Sequence, residues 1–369
     1  MSYILVSIFV LLGTVRVYEL KPMSDQEAST LRLVHILFRH GDRTNVSRHS
    51  YPNDPFKNET YHPFGPGELT KKGKIKSLRL GKALRERYDK FLGKDWNSEV
   101  VEAWSSDTGR SKMTLLLVLA RLFPPQEEEI LEEGLNWQPI PYSHKPLSKD
   151  NMFFGIINPN FKKLYSDYEQ GNEVQTTMND YKDIIEFIKL HAGYKNPTLF
   201  DMFALYGTLL TQKEWGLPLP EWTKKVFPYP LHNMVLDFLK HSTGTPELRK
   251  YVSGYFLKKV VDECKLKISG KMNENRKIYL YSGHDVNIGH LLNTLEVYKP
   301  HIPPYNAYFI FELHEIEGVY GVKLFYQDYS SREPQLLQLP GCEDFCPFDQ
   351  FVNAIKEYFP EKNENTCVK

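Results

Sequence analysis

Three times along this chain, an apolar run that reads as a strand breaks into charged or imidazole side chains, twice at the head of a helix. "TLRLVHILF" (30–38) runs into Arg39-His40-Gly41-Asp42-Arg43. "EVVEAWSS" (99–106) runs into Asp107, with Arg110 in the first turn of the next helix. "RKIYLYSGHD" (276–285) ends in His284-Asp285. Strands alternating with helices argue for an α/β core with helices on both faces of a sheet.

The segments between support that reading. "ELTKKGKIKSLRLGKALRERYDKFLG" places Ile75, Leu78, Leu84, Tyr88 and Phe91 at helical spacing and closes at Gly93. "DTGRSKMTLLLVLARLF" predicts a helix capped near Asp107 or Thr108 and stopped by Pro124-Pro125. From 126 to 255 strands give way to aromatics, prolines and short helical patterns, which predicts a mostly helical insertion. "YFLKKVVDECKLKI" and "VNIGHLLNTL" return as helices, and "NAYFIFELHEI" and "GVKLFYQD" form a hairpin around "EGVYG". The expected organisation is a discontinuous α/β core (28–125 and 256–350), an inserted helical cap (126–255) and a C-terminal tail (351–369).

With 369 residues, 41% of them hydrophobic, the chain can bury a large core. Lys+Arg and Asp+Glu are equal at 46 each, so nothing global points to nucleic acid or an anionic membrane. Any anion chemistry has to come from local clustering. The apolar run Tyr3–Leu12 is far short of the about twenty residues a membrane span needs. It suits the hydrophobic region of a signal peptide over about 1–17, cleaved within 13–20, although no small-x-small site stands there. The expectation is a secreted, extracellular protein without a membrane anchor. Two sequons, Asn45-Val46-Ser47 and Asn58-Glu59-Thr60, and an even number of cysteines suit that compartment. "PGCEDFCPF" sets Cys342 and Cys346 four apart, a plausible local disulfide; Cys264 and Cys367 are left over and could pair across the fold. CxxxC has no second half-site and no HExxH occurs, so neither metal nor cofactor is expected.

In open α/β sheets, ligands bind outside the carboxyl ends of the strands. If the three strands are neighbours, Arg39, Arg43, Arg110, His40, His284 and Asp285 converge there, beside helix N-termini that favour anions. Three arginines in one crevice match the oxygens of a phosphoryl group. Cations around His40 hold its imidazole neutral, with a lone pair for attack on phosphorus. Asp285 is the candidate general acid, kept protonated by the like charge of a bound phosphate. This chemistry predicts an acidic optimum without a metal. His35 and His290 read as packed histidines, Asp42 as a surface or turn residue, and His314 has no evident partner.

"RHGDRTN", "DTGR" and "GHD" stand in the order and at the spacing of the histidine acid phosphatases, the two-step branch of the histidine phosphatase superfamily. "GELTKKG" (67–73), "LFPP" (122–125) and "PGCEDFCPF" resemble its prostatic and lysosomal branch, and the chain as a whole resembles the insect venom-type enzymes, which are secreted glycoproteins and allergens. The resemblance implies a covalent phosphohistidine on His40 and proton donation by Asp285. Arg39, Arg43, Arg110 and His284 would hold the phosphate, and the segment 126–255 would cap the site. Small phosphate monoesters or phosphoproteins would be the substrates, and a homodimer follows by analogy. One departure stands out: Asn45 replaces the motif's proline, which is expected to loosen the loop and lower activity. A glycan at Asn45 would crowd the cleft, so Asn58 is the expected acceptor. Two rivals remain: a phytase-like inositol phosphate phosphatase, and a catalytically weakened secreted binding or venom protein. The acidic run Glu127 to Glu129 in the cap disfavours the first.

Overall fold

A computed structural model of the chain describes residues 20–361. The expected signal peptide and Cys367 lie outside them.

A short helix, α1 (Asp25–Thr30), leads into strand β1 (Leu31–Arg39); α2 (Lys71–Leu92), β2 (Val101–Ser105) and α3 (Gly109–Leu122) follow. Helices α4 (Pro159–Glu169), α5 (Asn172–Asp180), α6 (Lys182–Ala192), α7 (Leu199–Trp215), α8 (Leu231–His241) and α9 (Pro246–Arg249) form the helical block. The chain returns through α10 (Tyr255–Ile268), β3 (Ile278–Gly283) and α11 (Asp285–Thr294). It closes with β4 (Tyr308–Ile316), β5 (Val319–Gln327), β6 (Gln335–Leu337), β7 (Cys346–Pro347) and α12 (Phe348–Ile355).

The sheet order is β2-β3-β1-β4-β5-β6, with β7 also paired to β5. β3 runs parallel to both β1 and β2, whereas β4 and β5 are the expected antiparallel hairpin. The mixed sheet is covered on both faces, as the near-continuous apolar run of β1 requires. Val34, Ile36 and Phe38 pack with Leu80, Leu84, Leu115 and Leu119 of α2 and α3. Leu33 and Leu37 point the other way and pack with Leu257 and Val260 of α10 and Leu291 of α11. This alternation is the two-residue period of a strand.

Two expected boundaries are corrected. Residues 351–358 are not a tail: Phe351, Ile355 and Tyr358 lie three to four apart and are buried against the core. The helical layer is also narrower than 126–255. Trp104 bridges to Ser143, so the chain after α3 runs beside β2 before α4 begins. Conversely, part of the loop after β1 joins the helices. Tyr51 sits in their apolar cluster, Gln212 Nε2 donates to both Asp54 oxygens at 2.9 Å, and Thr208 Oγ1 donates to the His49 carbonyl at 2.9 Å. Cys342 and Cys346 form the expected disulfide. Cys264 is a buried free thiol against His35 Nε2 at 3.9 Å, and its expected partner Cys367 lies outside the described residues.

Candidate active site

The three strand ends are side by side: Arg39 pairs with Gly283, and Ser105 pairs with Ser282. The His40 N–H donates to the Gly283 carbonyl at 3.0 Å, and the Ser106 N–H donates to the Ser282 carbonyl at 3.0 Å. Register alone therefore brings the three turns together. Arg39, His40, Arg43, Arg110, His284 and Asp285 all line one cavity of about 570 Å³.

His40 is 2% exposed. Its Nδ1 lies 2.9 Å from the Gly41 carbonyl, which can only accept, so Nδ1 carries the proton and Nε2 keeps its lone pair. Burial first, then Arg110, His284, Arg39 and Arg43, hold its pKa well below the usual imidazole value. The neutral state expected from neighbouring cations thus rests mainly on burial. The loop beneath is tightly fixed. Gly41 N–H donates to Thr114 Oγ1 at 3.1 Å, and the first turn of α2 presses against it. A Cβ on Gly73 would sit 2.1 Å from the Asp42 carbonyl oxygen, so only glycine fits there.

Arg39 is clamped on three sides. Nη1 donates to the Pro303 carbonyl at 2.6 Å, Nη2 pairs with Asp285 Oδ2 at 2.8 Å, and the guanidinium lies 4.1 Å over the Tyr305 ring. Arg43 donates to the Thr44 carbonyl at 2.9 Å. Arg110 makes no hydrogen bond among the described residues, and burial, then Arg43, pulls its pKa down to about 9. His284 caps α11, its N–H donating to Asn287 Oδ1 at 2.8 Å, while Asn287 Nδ2 donates to the Phe153 carbonyl at 2.8 Å. Burial, then Arg110, holds the His284 pKa well below its usual value. The Nε atoms of Arg39, Arg43 and Arg110 and Nε2 of His284 are all buried without a hydrogen-bond partner. Four such nitrogens around one cavity form a site for an anion with several acceptor oxygens.

The remaining walls are largely apolar and aromatic, including Phe153, Phe154, Phe161, Tyr165, Phe200 and Phe203, and Arg48, Lys162 and Glu169 also line the cavity. Sequence reasoning missed Thr114, Tyr305, Asn287 and Arg48. The second glycine of "GELTKKG" was the one visible signal, for Gly73.

The other singled-out residues lie elsewhere. His35 stands 3.1 Å from Tyr281 Oη, and His290 Nε2 stands 2.7 Å from Ser242 Oγ; both are fully buried. His314 does have partners: Glu312 at 3.2 Å and Thr30 at 2.9 Å. Asp42 is not on the surface; it is 4% exposed and paired with Lys72 at 3.1 Å and Lys76 at 3.0 Å. Asn45 is 1% exposed and braced by Ser50 at 3.3 Å and Thr211 at 3.4 Å, so it does not loosen its loop through a free side chain. Asn58 is exposed in a turn. Glu127 to Glu129 do not line the cavity, which removes their bearing on substrate charge. Among the described residues no group of three or more His, Cys, Asp or Glu gathers as a metal site, and no helix is long and apolar enough to cross a membrane.

Comparison with known proteins agrees with this geometry. The family model "Histidine phosphatase superfamily (branch 2)" matches residues 30–327. Venom acid phosphatase Acph-1 of Apis mellifera is 36% identical over 341 residues, spanning 92% of this chain and 88% of that protein. Human prostatic acid phosphatase is 30% identical over 347 residues, spanning 92% and 89%. Among solved structures, Hafnia alvei phytase with myo-inositol hexakis sulphate superposes at a TM-score of 0.64, at 17% identity, covering 90% of this chain and 97% of that one. That likeness speaks to the fold: a central sheet flanked by helices. Taken with the register that gathers the three strand-end motifs, these matches place the chain in branch 2 of the histidine phosphatase superfamily.

Proposed function

We propose that this phosphatase is a secreted acid phosphomonoesterase acting through a phosphohistidine on His40. The observation that carries the reading is the His40 ring: Nδ1–H is fixed on the Gly41 carbonyl, leaving Nε2 as the lone-pair nitrogen among unpaired guanidinium donors.

The phosphate dianion takes Arg39, Arg43, Arg110 and His284 as donors. His40 Nε2 attacks phosphorus, the P–O bond to the alcohol breaks, and protonated Asp285 gives its proton to the leaving oxygen. Water then attacks the phosphorus, Asp285 takes a proton back, and inorganic phosphate leaves with His40 restored. The fixed cations stabilise the charge that spreads over the equatorial oxygens in both transition states. Proton donation to the leaving oxygen is the step that makes the reaction depend on acid. His40 stays neutral into acid because burial disfavours its imidazolium.

The aromatic walls favour monoesters of apolar or aromatic alcohols, phosphoproteins among them, over a polyanion such as an inositol polyphosphate. Retention of all six chemical groups in one cavity favours an enzyme over a non-catalytic binding protein. The apolar run Tyr3–Leu12 supports export.

The test is hydrolysis of an aryl phosphate by secreted protein from about pH 3 to about pH 9, with and without chelator, beside His40→Ala. The reading expects an acid maximum, indifference to chelator and loss in the variant. Activity surviving His40→Ala overturns the nucleophile assignment.

A further inference from the structure

A second cavity of about 500 Å³ adjoins the first, and Arg39, Tyr206, Leu210, Ile302 and Tyr305 line both spaces. Its body is apolar and aromatic: Leu80, Ala83, Tyr308 and Tyr329 line it. Its charge is lopsided. Arg39, Lys72, Lys76, Arg79 and Arg332 line it against two acids, Asp42 and Glu214. Asp42 is already neutralised by Lys72 and Lys76, and Arg39 by Asp285. Arg79 and Arg332 are exposed and have no ion-pair partner among the described residues. Two polar atoms deeper in are unmatched. Asn306 is 1% exposed; its Nδ2 donates to Ser77 Oγ at 3.2 Å, but its Oδ1 has no partner. The hydroxyl of buried Tyr305 has none either.

Buried polar atoms without partners are costly, and such atoms on residues that line an apolar cavity with cations at its rim point to a ligand site. The phosphate chemistry uses none of Arg79, Arg332, Asn306 or Ala83. We infer that this cavity binds a small amphipathic acid: an aromatic body among the tyrosines, a hydroxyl between Asn306 Oδ1 and Tyr305 Oη, and a carboxylate toward Arg79 and Arg332. The hydroxyl donates to Asn306 Oδ1 and accepts from Tyr305. The site shares Arg39 and Tyr305 with the catalytic cavity, but its occupancy does not require the reaction proposed above.

The probe is 6-hydroxy-2-naphthoate, titrated calorimetrically into the secreted protein with inorganic phosphate present to occupy the catalytic cavity. Binding is expected, and 2-naphthoate and 2-naphthol should each bind more weakly, since each lacks one polar group. Arg79→Glu with Arg332→Glu should weaken binding about tenfold or more. Ala83→Phe should abolish it by filling the space. Aryl phosphate hydrolysis should persist in these variants and serves as the control for folding. Absence of binding, displacement by phosphate, or affinity unchanged in the charge-reversed variant overturns the assignment.

Discussion

Replacing Arg110 by methionine should stabilise the protein while disabling it. Arg110 is 9% exposed, hydrogen-bonds to nothing among the described residues, and shares its cavity with Arg39 and Arg43. Burial and Arg43 lower its pKa from the usual guanidinium range to about 9. At about 1.4 kcal/mol per pH unit, that sets an upper bound of about 5 kcal/mol on the cost of its charge in the empty site. Relaxation and water entry reduce the recoverable part to about 1–3 kcal/mol. Methionine keeps the aliphatic stem and removes the charge. Arg110→Met should therefore raise the Tm by about 1–4 °C in phosphate-free buffer. Saturating phosphate at about a hundred times its Kd should stabilise the wild type by about 2.7 kcal/mol and the variant far less, reversing the order. Loss of one charge-stabilising donor should lower kcat/KM about 10²–10³-fold. Calorimetric melts with and without phosphate, beside aryl phosphate kinetics, read all three. A variant that melts below the wild type without phosphate refutes the reasoning, because Arg110 would then contribute to the resting fold.

Burial holds His35 and His290 neutral in the fold, with pKa values of about 3. The unfolded chain takes up those protons below about pH 6.5, so stability falls as pH drops from there toward 3, by up to about 2–3 kcal/mol per histidine at about pH 4.5. His290→Gln should flatten that slope in denaturant titrations; an unchanged slope contradicts it. Glu312 is 1% exposed and is held by Arg87 at 2.7 Å, Tyr88 at 2.7 Å and His314 at 3.2 Å. Arg87→Met should cost about 3–5 kcal/mol by chemical denaturation, and adding Glu312→Leu should recover much of it. Mass spectrometry of the secreted protein should find a glycan on Asn58 and none on Asn45, whose amide is buried.

The six groups of the site were legible because each is an unusual residue at the end of an apolar run, and neighbouring strands bring such ends together. What the sequence concealed depends on contacts between distant segments. Tyr305 is one of many tyrosines until the fold places its ring under Arg39. Asp54 lies in a polar loop, and its bond to Gln212 is one of the contacts that tie that loop to the helices. Phe351, Ile355 and Tyr358 carry a helical period too short to separate from a polar tail. Cys264 looked available for pairing, yet it sits 1% exposed beside His35 in the core. Glu127 to Glu129 show the opposite error: the charge was visible and its distance from the cavity was not.

The most direct measurement traps the covalent intermediate. Wild-type protein turning over a radiolabelled aryl phosphate in acid is quenched rapidly into alkali, digested and mapped. The account predicts label on the peptide bearing His40, stable in alkali and released by acid. It should be absent in His40→Ala. Turnover without label on that peptide, or label on another residue, contradicts the assignment of His40 as the nucleophile.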